Sequence, residues 1–256
     1  MNTFVKRHTL LRTARSLIRR DPPAPQNAPP SYYRQDFSET DTDLVRRVQP
    51  FTMTSAERVI HLARAVEYIV RNGIRGAFVE CGVWRGGSMM AIAYTLTRLG
   101  VCDRDLYLFD TFEGMPPPEP IDVLHDGTPA SEVLAASAQD SLYWARAGLA
   151  EVRRNMSATG YPQARVHFVQ GRVEDTIPGR APDLIALLRL DTDWYSSTRH
   201  ELERLYPRLG SDGVLVIDDY GWWRGARRAV DEYFAGLAFP PLLHRIDESG
   251  RSCIKK

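Results

Sequence analysis

The chain has 256 residues, of which 43% are hydrophobic and 25% are charged, a composition typical of a soluble globular protein. Its formal net charge of +1 gives no overall attraction to nucleic acid or to an anionic membrane surface. Three cysteines without metal-ligand spacing argue against a disulfide framework or a zinc site and favour a reducing cytoplasm, and no apolar run is long enough to cross a membrane.

The first 48 residues differ in composition from the rest and are predicted to be a basic arm and a linker. Residues 1–20 contain no acidic residue, carry apolar side chains at helical spacing, and precede the proline-rich segment "DPPAPQNAPP". A basic amphipathic helix can lie on a membrane or serve as a transit peptide. Because the apolar stripe is short, an arm that packs on a neighbouring subunit or stays in solvent is the favoured interpretation. Residues 49–256 are predicted to form the main domain.

Helical and strand-like segments alternate from residue 54 onward. A capping box of Thr54 and Glu57 predicts a helix that ends before Gly73. Apolar runs predict strands at 76–81, 105–110, 165–170, 184–191 and 213–219, with helices at 87–99, about 131–157, 196–208 and 223–237. Strands that are apolar throughout and joined by helices indicate a doubly wound α/β fold with a parallel sheet. Two β-like runs around Gly250 predict an added antiparallel hairpin, which makes seven strands.

A glycine-rich loop follows the first predicted strand, in "FVECGVWRGGS". Glycines at a strand-to-helix turn let a ligand approach the backbone, and the helix start offers free N–H groups. Glu80 lies two positions before Gly82, which suits a cationic group such as the amino group of S-adenosylmethionine better than a diphosphate. Asp110 ends the second strand, where a carboxylate can accept hydrogen bonds from a ribose. Together these residues favour an S-adenosylmethionine site over a turn that serves packing alone.

Two further features allow two interpretations each. Gln170 and Gly171 end the third predicted strand, where the adenine end of such a cofactor would lie, but an ordinary strand-to-turn transition explains them equally well. Trp222 and Trp223 follow the fifth strand and suit either stacking on a sugar ring or packing in the core.

Four aspartates follow two of the predicted strands. Asp191 and Asp193 come after the fourth strand, and Asp218 and Asp219 close the fifth. Carboxylates that are desolvated together need a proton, a cation or full solvation, and hard oxygen ligands suit Mg²⁺ or Ca²⁺. Adjacent aspartates at one strand end can be turn residues that face water, but matching positions after two strands favour a metal site. A cation there would activate a hydroxyl, and a nearby carboxylate would take its proton.

Four segments resemble the macrocin O-methyltransferase family: "FVECGVWRGGS", "LYLFDTFEGMPPP", "LIALLRLDTDWYSSTRHELERLYPRLGSDGVLVIDDYG" and "ARRAVDEYF". Enzymes of this family depend on Mg²⁺ and methylate sugar hydroxyls of antibiotic glycosides. The resemblance covers roughly residues 50–240 and implies a class I, Rossmann-like methyltransferase fold that assembles as dimers or larger oligomers.

The resemblance also implies roles for individual residues. Asp191, Asp218 and Asp219 would bind the metal, and Asp193 would be the general base, with Asp191 beside it in the catalytic site. The cofactor-binding residues expected from the resemblance and the strand ends together are Thr54, Ser55, Glu80, Gly82, Val83, Ser88, Asp110, Thr111, Gln170, Gly171 and Asp191.

The expected function is S-adenosylmethionine- and Mg²⁺-dependent methylation of a small-molecule glycoside, without a nucleic acid or membrane partner. A phenol or catechol acceptor is the enzymatic alternative, because the same cation could bind two oxygens. A binding protein that has lost turnover is the non-enzymatic alternative, although the complete set of four aspartates argues against it.

Overall fold

A seven-stranded sheet lies at the centre of the part of the chain that the computed structural model describes, residues 36–138 and 142–256. The order of the strands is β3-β2-β1-β4-β5-β7-β6, with β1 to β5 parallel and β7 antiparallel to both β5 and β6. The strands are β1 (Ala77–Cys81), β2 (Leu106–Asp110), β3 (Val166–Gln170), β4 (Ile185–Leu190), β5 (Leu209–Ile217), β6 (His244–Arg245) and β7 (Arg251–Ile254). The predicted parallel sheet and antiparallel hairpin are therefore confirmed.

Helices cover both faces of this sheet. They are α1 (Glu39–Val48), α2 (Ala56–Arg71), α3 (Gly87–Arg98), α4 (Ala130–Ala135), α5 (Leu149–Ser157), α6 (Val173–Thr176), α7 (Tyr195–Leu205) and α8 (Arg224–Ala235). Side chains of β1 alternate between the two cores: Phe78 packs with α1, α2 and α3, whereas Val79 packs with α7 and α8. None of these helices has the length and apolar character that a bilayer crossing requires.

The order of the strands reverses between β1 and β4. The chain proceeds from β1 outward to β2 and β3, then crosses back to place β4 and β5 on the other side. Ligands of doubly wound sheets bind at such a switch point, beyond the carboxyl ends of the strands. We call the edge at which β1 to β5 end the carboxyl edge.

The structure corrects two local predictions and adds two helices, α1 and α6. The continuous helix predicted at about 131–157 is wrong: α4, a 3₁₀ turn at Leu142–Trp144 and α5 occupy this region, and Ala145 has a left-handed φ of 43° that no α-helix passes through. Ser55, not Thr54, caps α2 by accepting a hydrogen bond from the backbone N–H of Arg58. α1 lies within the first 48 residues, which were predicted to be an arm and a linker, and α6 is a short helix after β3. The basic segment of residues 1–20 and the proline-rich segment after it lie outside the described residues.

Candidate functional site

The aspartates predicted to meet at the carboxyl edge do so. Backbone hydrogen bonds of the sheet continue one residue past the strands, from Asp191 N to Cys81 O and from Asp218 N to Leu190 O, both at 2.9 Å. Carboxylate oxygens of Asp191, Asp218 and Asp219 all lie within 4.8 Å of one another. We call these three residues the acidic cluster.

The acidic cluster has the properties of a site for a hard cation. Asp218 and Asp219 are buried, and Asp191 keeps 26% of its side chain exposed. Burial raises the pKa of Asp191 and Asp219 well above the usual range, and repulsion between the neighbouring carboxylates adds to the increase. Oδ2 of Asp219 is buried and has no hydrogen-bond partner. Three carboxylates with a free buried oxygen suit Mg²⁺ or Ca²⁺.

Arg189 joins the acidic cluster to the first strand. It lies beside Glu80 in the register of β1 and β4, and its side chain is only 2% exposed. One guanidinium nitrogen donates to Glu80 and to Asp191, the latter at 2.6 Å, and the other donates to Asp218 at 2.5 Å and to Thr54 at 2.8 Å. A single buried cation thus holds three carboxylates and a hydroxyl of the segment before α2.

Glu80 is the buried end of this network. Burial raises the pKa of Glu80 to about 7. Arg189 opposes this increase but does not cancel it, because its one guanidinium is shared among three carboxylates. Its second oxygen, Oε2, is buried without a hydrogen-bond partner.

Arg58 is a second cation at the acidic cluster. It lies in the first turn of α2, where one nitrogen contacts Oδ2 of Asp218 and Nε donates to Asp247 at 2.8 Å. Asp247 belongs to the turn between β6 and β7 and also accepts a hydrogen bond from Ser55 at 2.6 Å. The C-terminal hairpin therefore fixes both Ser55 and Arg58 beside the metal-ligand candidates.

Asp193, the predicted general base, lies next to the acidic cluster. Its pKa is raised well above the usual range by burial and by the charge of Asp191, and Asp219 is also a neighbour. Its backbone has a left-handed φ of 68°. Oδ1 accepts a hydrogen bond from the indole Nε1 of Trp223 at 2.7 Å.

The glycine loop, residues 82–87, packs tightly against the backbone of Asp191. Gly82 has a φ of 79°, and a Cβ at this position would clash with the backbone carbonyl of Asp191. Asp110 holds the loop from the second strand: Oδ2 accepts from the N–H groups of Val83 at 2.7 Å and of Trp84 at 3.1 Å. The predicted ribose contact of Asp110 stays a prediction, and in the protein alone this carboxylate fixes the loop.

The other expected cofactor residues lie at or near the same edge. Ser88 is buried in the first turn of α3, and the hydroxyl of Thr111 donates to the carbonyl of Gly114 at 2.7 Å. Gln170 ends β3 beside Asp110, and Gly171 N donates to the carbonyl of Asp110 at 3.0 Å. The structure thus brings the expected residues to the ends of β1 to β5, and their contacts with a cofactor stay predictions.

Arg58 and Arg189 were not predicted as site residues, and for Trp223 the sequence suggested sugar stacking or core packing but no contact with Asp193. The sequence did contain a signal for Arg189, since an arginine interrupts the apolar run "LIALLRLD" and needs a buried partner there. Arg58 had no such signal, because an arginine in the first turns of a helix is common on a protein surface. Trp223 is only 4% exposed, which removes it as a stacking surface for a sugar.

Comparisons with known proteins agree with this arrangement. The profile described as Macrocin-O-methyltransferase (TylF) matches residues 11–253. A demethyldecarbamoylnovobiocin O-methyltransferase of Streptomyces niveus is 32% identical over 227 residues, in an alignment that covers 85% of this chain and 84% of that protein. The 8-demethyl-8-(2,3-dimethoxy-alpha-L-rhamnosyl)-tetracenomycin-C 4'-O-methyltransferase of Streptomyces olivaceus is 33% identical over 199 residues, 78% of this chain and 73% of that protein.

A solved structure supports the same relationship. The O-methyltransferase NovP is 32% identical and superposes with a TM-score of 0.69, covering 80% of this chain and 82% of that chain. The fold is that of a class I O-methyltransferase with two antiparallel strands after β5. The profile match and the relatives above 30% identity show that this chain belongs to the macrocin O-methyltransferase family.

Proposed function

We propose that this protein transfers the methyl group of S-adenosylmethionine to a sugar hydroxyl of a natural-product glycoside in the presence of Mg²⁺. The observation that carries the proposal is the meeting of the acidic cluster, Asp193 and the glycine loop at the carboxyl edge. The name of the tetracenomycin relative, which specifies a rhamnosyl group, supports a sugar acceptor. We also expect a homo-oligomer, as the resemblance implies, in the reducing cytoplasm that the cysteine content favours.

The acidic cluster would hold the cation. Asp191, Asp218 and Asp219 offer oxygens within 4.8 Å of one another, and Oδ2 of Asp219 is free to bind. When bound, Mg²⁺ would supply the positive charge that lowers the pKa of an acceptor hydroxyl from far above 7. Arg189 keeps Asp191 and Asp218 side by side through two hydrogen bonds from its guanidinium.

The hydroxyl and the methyl group need a base and an in-line approach. Asp193 lies beside the acidic cluster and would accept the hydroxyl proton as the oxygen forms its bond to the methyl carbon. The carbon–sulfur bond breaks in the same step, and the sulfur leaves in S-adenosylhomocysteine with its electron pair. The products are the methyl ether, S-adenosylhomocysteine and a proton held by Asp193.

The glycine loop and Glu80 would hold the methyl donor. Glu80 Oε2 is a buried acceptor without a partner, which suits the ammonium group of S-adenosylmethionine. The close contact of Gly82 with the backbone of Asp191 places the loop directly beside the acidic cluster. This proximity supports a reaction in which donor and acceptor bind on adjoining strand ends.

The first test is calorimetric titration of S-adenosylhomocysteine and, separately, of Mg²⁺ into the purified protein. We expect S-adenosylhomocysteine to bind, and Mg²⁺ to bind at a site that Asp218→Ala weakens at least tenfold. Asp183→Asn, a change at a fully exposed aspartate, is the matched control and should leave both affinities unchanged. Failure of S-adenosylhomocysteine to bind would refute the proposal.

The second test is turnover with a labelled methyl donor and two panels of acceptors, antibiotic glycosides and catechols. We expect label on the glycosides, loss of transfer in the presence of a chelator, and loss of transfer in Asp193→Ala with S-adenosylhomocysteine binding retained. If only the catechols are labelled, the acceptor is a phenol and the proposal of a sugar acceptor is wrong. Wild-type turnover by Asp193→Ala would remove this residue as the base.

A further inference from the structure

The indole of Trp223 is a buried donor committed to the site. Trp223 directly precedes α8 and is 4% exposed, and its Nε1 donates to Oδ1 of Asp193 at 2.7 Å. Leaving a buried indole N–H without an acceptor is unfavourable, and a carboxylate is the stronger kind of acceptor. The bond therefore constrains both partners.

Asp193 needs such a constraint because its backbone does not set the direction of its carboxylate. Its φ of 68° lies in the left-handed region, which aspartate tolerates better than most residues do. Neighbouring hydrogen bonds hold that backbone: Trp194 N donates to Thr192 O at 2.8 Å, and the Thr192 hydroxyl donates to Glu201 at 2.9 Å. These contacts hold the backbone of the loop, whereas the carboxylate of Asp193 is held by the indole N–H of Trp223 and lies beside Asp219.

Trp223 is itself fixed with respect to the acidic cluster. Its backbone N–H donates to the carbonyl of Asp219 at 3.0 Å, and its ring packs edge-on against Trp194 with centroids 5.0 Å apart. Trp223 thus binds Asp219 through its backbone and Asp193 through its side chain. It thereby fixes the position of the base relative to a metal-ligand candidate.

We propose that Trp223 is a positioning residue that orients Asp193 for proton transfer. This inference rests on the proposed function. The indole N–H occupies Oδ1, which leaves Oδ2 as the atom that takes the hydroxyl proton, and it holds Asp193 beside the acidic cluster before an acceptor arrives. Trp223 touches neither methyl donor nor acceptor in this role.

The test compares Trp223→Phe with Trp194→Phe. Both changes remove one indole N–H from the same pair of packed rings, but the N–H of Trp194 donates to the carbonyl of Pro116 at 3.0 Å and does not reach Asp193. We expect Trp223→Phe to lower kcat by about tenfold to a hundredfold, part of the factor of about 10² to 10⁴ that a positioned base contributes. The KM for the acceptor and the affinities for S-adenosylhomocysteine and Mg²⁺ should change less than about twofold, because no binding contact is removed.

The control separates positioning from packing. Trp194→Phe should keep kcat within about threefold of wild type, since loss of packing alone does not reorient the base. A kcat of Trp223→Phe equal to wild type, or an equal loss in both variants, would overturn the proposal.

A spectroscopic measurement tests the hydrogen bond without turnover. The chain has five tryptophans, so ¹⁵N-tryptophan labelling gives five indole N–H signals, and the signal absent from Trp223→Phe belongs to Trp223. Asp193→Ala should move this signal and leave that of Trp194 in place. An unmoved Trp223 signal would overturn the proposal whatever the activity. If the signal moves but the protein binds no S-adenosylhomocysteine, the hydrogen bond exists and the proposed function is refuted. The bond then has no role in methyl transfer.

Discussion

Replacing Glu80 with glutamine tests whether the buried network at the carboxyl edge holds more carboxylates than its arginines can compensate. Burial raises the pKa of Glu80 from an ordinary value of 4.5 to about 7. Because the folded protein binds this proton more tightly than the unfolded chain does, the resulting stabilisation is complete below about pH 4.5. It is lost as the pH rises through about 7.

The size of the effect follows from that difference. A pKa raised from 4.5 to about 7 is worth about 3 kcal/mol of folding free energy, most of which is lost between pH 5 and pH 8. Glutamine stays neutral and can still accept the hydrogen bond from Arg189. The free energy of unfolding of Glu80→Gln should therefore fall less steeply with pH than that of the wild type, by about 2 to 3 kcal/mol over this range.

The assay is urea unfolding of the chelator-treated protein, followed by tryptophan fluorescence at pH 5, 6, 7 and 8. Glu113→Gln is the matched control, because it removes a carboxylate from an exposed position. If wild type and Glu80→Gln show the same slope of stability against pH, Glu80 is not the protonated group and the reasoning fails.

Three other changes test separate contacts. Gly82→Ala should lower the free energy of unfolding by more than about 3 kcal/mol, because its φ of 79° and the nearby backbone exclude a Cβ, whereas Gly148→Ala, with open space around it, should change little; equal stabilities in urea would contradict this. Arg58→Gln should tighten Mg²⁺ binding about tenfold in calorimetry, because it removes a positive charge in contact with Asp218, and unchanged or weaker binding would show that the arginine does not compete. Asp247→Ala should destabilise the protein by about 3 kcal/mol in urea unfolding, since its carboxylate pairs with Arg58, and a loss below about 1 kcal/mol would show that the hairpin contact is weak.

The sheet and its core helices follow from local sequence patterns. Apolar runs of six to eight residues predicted β1 to β4 to within one residue at each end, because a strand covered on both faces is apolar throughout. The same reasoning was wrong for residues 131–157. Apolar residues occur there at helical spacing, but Ala145 interrupts the helix. The spacing of apolar residues does not show that one residue, Ala145, adopts a left-handed backbone conformation.

The sequence also predicted that the aspartates of the acidic cluster lie close together. It did not predict which side chains pair with them. Aspartates that follow neighbouring parallel strands must converge, because all these strands end at one edge. The partners are distant in the chain: Arg189 and Glu80 are 109 positions apart, and Arg58 and Asp218 are 160 positions apart.

The sequence by itself therefore determined the fold, the family and the carboxylates at the carboxyl edge, because backbone topology alone carries residues at strand ends to that edge. The tertiary structure decided that Arg189 pairs with Glu80 and that the indole of Trp223 reaches Asp193. The direction of a buried side chain depends on the packing and hydrogen bonds around it, which the local sequence does not encode.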